Sequence, residues 1–260
     1  MTKNYLFIYL LSLLFISCGS KSNLLDENIT ERFNSGMKYF EKEKYLKAEA
    51  EFNYLILNNP GSKLSLDAQY YLAESMFYQD KFDEAIEEYN RYSRFSDDPV
   101  KIEHAEFKSC DASYLLANDF KFDQGNAAEL MDKLQVFIEK YPESKFSNQI
   151  ENFFKEIRSR LAQKEYEAGR LYLKLEEYDA ALIYFNEVLS LYYDTDYSDL
   201  ARIEIIFTLL LQQKIDGAIK QLEKYKNKFS MQNSYAISLK LINDMEEGNL
   251  TLSNYYRLYK

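Results

Sequence analysis

Helix breakers are scarce in this chain: seven glycines and three prolines in 260 residues. An all-β domain needs a turn signal roughly every 8–12 residues, so that class is excluded. There is no tryptophan, one histidine and two cysteines. That set is too small for a zinc site of the usual ligands, and neither a metal nor another cofactor is expected. Basic residues are the minority, 32 against 42 acidic ones, for a net charge of −10. A nucleic-acid-binding domain carries a basic patch or stripe, so nucleic acid is not an expected partner. The sequence has no Gly-rich phosphate loop, no G-x-S-x-G and no H-E-x-x-H, and the single His104 has no nucleophile in a recognisable motif beside it. The chain therefore reads as a non-enzyme. What remains is 47% apolar and 28% charged residues, with 24 Tyr and 18 Phe, a globular and helical composition.

The first residues are read as a targeting segment. Lys3 supplies positive charge, and Tyr5 to Ile16 is apolar apart from Ser12. Twelve such residues fit the core of a secretory signal and fall short of the ~20 needed to span a bilayer. The run ends Leu14-Phe15-Ile16-Ser17-Cys18-Gly19, which resembles a bacterial lipobox, with residues 1–17 as signal peptide and Cys18 as the lipidated first mature residue. The following Gly19-Ser20-Lys21-Ser22-Asn23 has no acidic residue. By resemblance to lipoprotein sorting signals this implies the outer membrane, on its periplasmic face. Residues 18–28 are expected to be a flexible lipidated tether. Cleavage would remove only Lys3 among charged residues, taking the net charge from −10 to −11, so the acyl group and not electrostatics has to hold the membrane. Cys110 would be the one free thiol left, so no intrachain disulfide is expected.

The body of the chain repeats itself. Glu43-Lys44-Tyr45-Leu46-Lys47-Ala48 aligns with Asp80-Lys81-Phe82-Asp83-Glu84-Ala85, with Glu176-Glu177-Tyr178-Asp179-Ala180-Ala181 and with Gln213-Lys214-Ile215-Asp216-Gly217-Ala218. Ala48 to Ala85 and Ala181 to Ala218 are both 37 residues. Twelve residues before each Ala stand Gly36, Ala73, Gly169 and, less well, Ile206. Small residues where two helices cross, followed by an aromatic four places after the Ala, are tetratricopeptide (TPR) landmarks. Antiparallel helices in close contact need small side chains at the crossing, and neither buries its apolar face without the next repeat.

Pro60, Pro99 and Pro142 each follow a helical pattern, where the chain must turn. The expected fold is all-α, an α-solenoid of about five TPR helix pairs: repeats near 29–63, 64–98, 99–145, 146–195 and 196–230, then a capping helix near 234–247. Residues 29–145 would form an N-terminal part of repeats 1–3, and 146–247 a C-terminal part of repeats 4–5 with the cap. Asn118–Asn126 is read as an insertion within repeat three, Phe146–Leu175 as one long helix, and 248–260 as a tyrosine-rich tail.

In a TPR the first helix of each pair faces the groove. Counting from the landmarks, positions five and twelve are Phe33 and Phe40, Tyr70 and Phe77, Phe107 and Tyr114. Seven-residue spacing puts each pair on one helical face. Such a stripe either anchors a peptide or packs neighbouring repeats together. Tyr70 and Tyr114 are the better ligand candidates, because a phenol tolerates a wet edge. Cys110 falls in the small-residue slot and is expected to be buried.

The run Asp123-Gln124, then Phe137-Ile138-Glu139-Lys140-Tyr141-Pro142-Glu143-Ser144-Lys145-Phe146, then Arg160-Leu161-Ala162-Gln163-Lys164-Glu165-Tyr166 and Tyr172, behind a lipobox, resembles the BamD family, lipoprotein subunits of the outer-membrane β-barrel assembly machine. The resemblance covers most of residues 30–230. It implies a scaffold whose C-terminal repeats dock a BamA-like barrel-forming subunit. It also implies that the N-terminal groove receives targeting segments of unfolded outer-membrane proteins, which usually end in an aromatic residue. A periplasmic TPR adaptor for cell-wall synthesis or envelope tethering shares the lipobox, repeats and acidity, and is the alternative.

Overall fold

A computed structural model describes residues 20–119, 124–231, 233–251 and 254–255. The signal segment 1–17 and the lipidation candidate Cys18 lie outside the described residues. The elements are helices α1 (Ser20–Phe40), α2 (Tyr45–Asn58), α3 (Lys63–Phe77), α4 (Phe82–Phe95), α5 (Pro99–Asp119), α6 (Gln124–Lys140), α7 (Ser147–Lys174), α8 (Tyr178–Leu191), α9 (Tyr197–Leu211), α10 (Ile215–Tyr225) and α11 (Ser234–Glu246). No strand occurs among the described residues, and no helix there is long and apolar enough to cross a membrane.

The chain divides into two compact units, residues 1–150 and 151–260, with the boundary inside the first turn of α7. In the first unit, α1 to α5 pack successively against one another and α3 also meets α1. Their cores are Ala48, Phe52, Leu55, Ala68 and Leu72 at the first pair, then Ala73, Ala85, Tyr89, Tyr92 and Ala105 at the second. In the second unit, α9 packs against α8, α10 and α11 around one core that runs from Ala162 to Tyr255. Both units are built of TPR helix pairs.

The repeat landmarks explain why. Ala48, Ala85, Ala181 and Ala218 are fully buried, and four places on, Phe52, Tyr89, Phe185 and Leu222 are buried as well. A Cβ placed on Gly36 would come within 2.6 Å of the Phe52 ring, and one on Gly169 within 2.7 Å of the Phe185 ring. Glycine is therefore needed for the ring to lie on the helix backbone. Each of these four pairs turns in the same way. Glu43, Asp80, Glu176 and Gln213 have φ between 55° and 61°. The next residue's amide donates back five residues, as Lys44 does to the Tyr39 carbonyl and Glu177 to that of Tyr172. That bond satisfies a carbonyl left over at the helix end.

Pro99 is the first residue of α5 rather than a terminator, with the Asp98 carboxylate accepting from the Val100 and Lys101 amides at 3.1 Å each. This is an N-cap followed by proline at the first helical position. Ser62 caps α3 in the same way, accepting from the Ser65 amide at 3.1 Å.

Two expectations change. The stretch 18–28, read as a flexible tether, is helical from Ser20, because nothing between Ser20 and Asn28 is a glycine or proline that would stop α1. The tail beyond Gly248 contributes to the core: Tyr255 is 1% exposed and stacks on Phe207 with centroids 3.8 Å apart. The long helix of repeat four is Ser147–Lys174. The expected insertion in repeat three falls between α5 and α6, where 120–123 lie outside the described residues.

Candidate functional site

The six stripe residues lie on the first helices of the three N-terminal pairs, α1, α3 and α5, and they do not share one environment. Phe33, Phe40, Tyr70, Phe77 and Tyr114 are half-buried, whereas Phe107 is buried. Phe146 lies flat on Phe107, centroids 4.0 Å apart and 7° between planes, so Phe107 offers a ligand no face and serves as packing. Phe33 tilts against Phe52 and Tyr71.

Tyr70 is walled by Tyr71, Tyr89 and Tyr92 at 5.2–6.3 Å. Its hydroxyl lies 2.6 Å from Nδ1 of His104. Burial pushes the Tyr70 phenol upward. Burial, and then Lys108 and Lys145, hold the His104 ring below its ordinary value. A neutral imidazole with its proton on Nε2 accepts the phenol proton at Nδ1. Tyr70 and His104 thus form an internal polar bridge between α3 and α5.

The open part of the stripe is at the other end of these helices. Phe40 meets Tyr45 and Tyr78 edge-on at 5.5 and 6.1 Å, and Tyr45 stacks on Tyr78 at 4.9 Å. Phe77 meets Tyr78 and Phe82 at 5.8 and 5.6 Å. Tyr78 is 51% exposed. Above the Phe77 ring sits the Lys108 ammonium, 3.2 Å from the centroid and 3.2 Å from Asp111. Under the cluster the buried Glu74 accepts from the Tyr89 hydroxyl at 2.6 Å, and burial raises its carboxyl pKa.

An apolar, edge-rich cluster with one fixed cation can accept an aromatic side chain that carries a nearby negative charge. The periodicity located Phe40 and Phe77. It missed Tyr45, Tyr78 and Lys108, which stand next to the inter-helix turn or on the neighbouring repeat. The alignment that places Tyr45 opposite Phe82 in the repeat was the signal that could have found one of them.

Cys110 is buried, its sulfur 3.9 Å from the Lys133 carbonyl, and burial raises its thiol to about 12. It fills the small-residue slot and is no nucleophile. Among the described residues no cluster of His, Cys, Asp and Glu could hold a metal ion.

The second unit carries polar groups that the sequence reading overlooked, on α9. Asp199, fully buried, accepts from the Ser230 and Met231 amides at 2.8 and 2.7 Å and from Arg202 Nη1 at 2.7 Å. Glu204, also fully buried, accepts from the Tyr166 hydroxyl at 3.0 Å. On the surface, Arg158 grips Asp194 through Nε and Nη2 and donates to the Leu191 carbonyl at 2.7 Å. This pairing holds the Asp194 carboxyl below its usual range.

Comparison with known proteins places the chain. The Rickettsia prowazekii (strain Madrid E) outer membrane protein assembly factor BamD is 27% identical over 227 residues, covering 86% of this chain and 89% of that one. Among solved structures, the TPR2AB domain of yeast Sti1 in complex with pHSP90 matches 86% of this chain and 99% of its own, at 12% identity and a TM-score of 0.43. A thermophilic TPR protein of Thermus thermophilus matches 82% and 99%, at 18% identity and a TM-score of 0.35. The family model YfiO, outer membrane lipoprotein, matches residues 26–222, and the chain belongs to this family, that of the BamD assembly factors.

Proposed function

We propose that this chain is a scaffold of outer-membrane β-barrel assembly, anchored through a lipid on Cys18 and facing the periplasm. Its C-terminal repeats dock the barrel-forming subunit, and its N-terminal repeats receive the aromatic-ended targeting segments of unfolded outer-membrane proteins. The observation that carries the second part is the open cluster of Phe40, Tyr45, Phe77 and Tyr78 with Lys108 fixed over it. The aromatic end of a client adds one more ring to that cluster, and its terminal carboxylate lies toward Lys108. Phe33, Tyr70 and Tyr114 shape the floor and flank of the same groove.

The test uses the exposed Tyr78 and the half-buried Tyr45 that stacks on it. Tyr45→Ala with Tyr78→Ala is expected to leave the thermal midpoint within a few degrees, and to weaken binding of an aromatic-ended peptide about tenfold, since aromatic pairs contribute ~0.5–1.5 kcal/mol each. Unchanged peptide affinity in a folded double variant removes the groove from the proposal. The docking role is tested by crosslinked pull-down from native membranes with a C-terminal tag: a large β-barrel protein with periplasmic domains is expected as the main partner. Recovery of cell-wall enzymes without it would replace the reading by an envelope adaptor.

A further inference from the structure

Between the C-terminal ends of α8 and α10 lies a cavity of about 570 Å³, lined by Asn186, Leu189, Ser190, Tyr193, Arg202, Lys224, Tyr225 and Lys228. Three of these side chains are cations and none is an acid, in a protein whose net charge is −10. The nearest explanation, that lysines at a helix end offset its dipole, accounts for Lys224 and leaves the rest. Lys224 and Lys228 are exposed and form no ion pair among the described residues. Arg202 is only 7% exposed. Its Nη1 donates to Ser198 Oγ at 3.0 Å and to Asp199 Oδ1 at 2.7 Å, while its buried Nε has no acceptor. Asp199 cannot supply one, because its other oxygen is committed to the Ser230 and Met231 amides. The Arg202 side chain forms part of the cavity wall beside Lys224 and Lys228. A buried guanidinium and two lysines thus line one space that holds no acid, where an anion can make charge-assisted bonds.

We propose that this cavity binds a phosphate group. Setting Asp199 against Arg202, Lys224 and Lys228 leaves two positive charges, which a phosphomonoester dianion matches and a single carboxylate does not. Asn186 and Ser190 are neutral hydrogen-bonding groups for its remaining oxygens. Tyr193, 67% exposed at the mouth, provides a surface for the organic part of the molecule. The phosphate can belong to a soluble phosphoester or to a lipid headgroup.

The experiment uses the full-length protein in a neutral detergent at constant ionic strength, titrated with inorganic phosphate and separately with the water-soluble dihexanoyl phosphatidic acid. Binding is read by calorimetry and by the rise in thermal midpoint. Saturable binding of inorganic phosphate is expected. Lys224→Ala with Lys228→Ala should reduce its affinity by at least about tenfold, the class of loss that follows removal of charge-assisted contacts, without moving the phosphate-free midpoint. Tighter binding of the short-chain lipid, reduced by Tyr193→Ala, assigns the site to a headgroup, and equal binding of the two assigns it to a soluble phosphoester. Absence of saturable binding by either probe, or binding that the double lysine variant leaves unchanged, overturns the proposal.

Discussion

At the scale of single residues, the fold depends on matched sizes where paired helices cross. Gly36 faces Phe52 and Gly169 faces Phe185. Ala73 shares its core with Tyr89, and the fifth pair combines Ile206 with Leu222. Where the first residue is Gly or Ala the second is an aromatic ring, and where it is the bulky Ile206 the second is the smaller Leu222. The Ile206 that looked degenerate in the sequence is therefore matched by a smaller partner. Phe185 is fully buried and cannot swing away. Gly169→Ala should therefore cost about 1–3 kcal/mol by overpacking, measured by denaturant unfolding. Gly217→Ala is the opposite case, because its new Cβ meets only the Lys214 Cβ, at 3.7 Å. It should stabilise α10, by up to about 1 kcal/mol.

His104 sets a pH dependence at the same scale. Its folded pKa lies below the ordinary value of about 6.5, so the unfolded chain takes up a proton that the folded chain refuses. The contribution is complete above that value and declines as pH falls below it. The drop in thermal midpoint between about pH 7 and 5 should shrink in His104→Gln, whose amide oxygen can still accept from Tyr70 but does not titrate.

At the scale of elements, four helix pairs end their first helix on a left-handed residue that is not glycine: Glu43, Asp80, Glu176 and Gln213. An L-residue there is strained by about 1–2 kcal/mol, which glycine avoids at a smaller entropic cost. Glu176→Gly and Gln213→Gly should each raise stability by about 0.5–1 kcal/mol in denaturant unfolding. The Arg158–Asp194 pair ties α7 to the link after α8. Since the folded carboxyl titrates below its unfolded value, this pair contributes above about pH 4 and fades as pH drops further. The difference in midpoint between the native chain and Asp194→Asn should vanish in acid.

The helix pairs themselves were legible in the sequence because Ala48, Ala85, Ala181 and Ala218 repeat in one register. The long α7 was legible because it contains few breakers. The contacts that close the open aromatic cluster were not. Whether Phe107 faces a ligand or Phe146, and that Lys108 comes to rest on Phe77, depends on which repeat packs behind. A period along one helix does not contain that information. The buried Asp199 was hidden for a similar reason: its partners are backbone amides thirty-one and thirty-two residues away, and backbone groups have no sequence signature.

At the scale of the molecule, each unit has its own core, and the second reaches to Tyr255. A chain truncated after Gly248 would leave the face of Phe207 uncovered. It should lose about 3 kcal/mol, as loss of a buried aromatic does, read by thermal or denaturant unfolding against the full chain. Cys110 bears on the whole molecule in another way. With Cys18 committed to lipid as proposed, the protein presents no reactive sulfur to its surroundings, and the buried Cys110 can be left in place. A cysteine introduced anywhere on the surface then becomes the only labelling handle. Spectroscopic rulers or photocrosslinkers could therefore be moved along the molecule one position at a time, mapping where each partner rests.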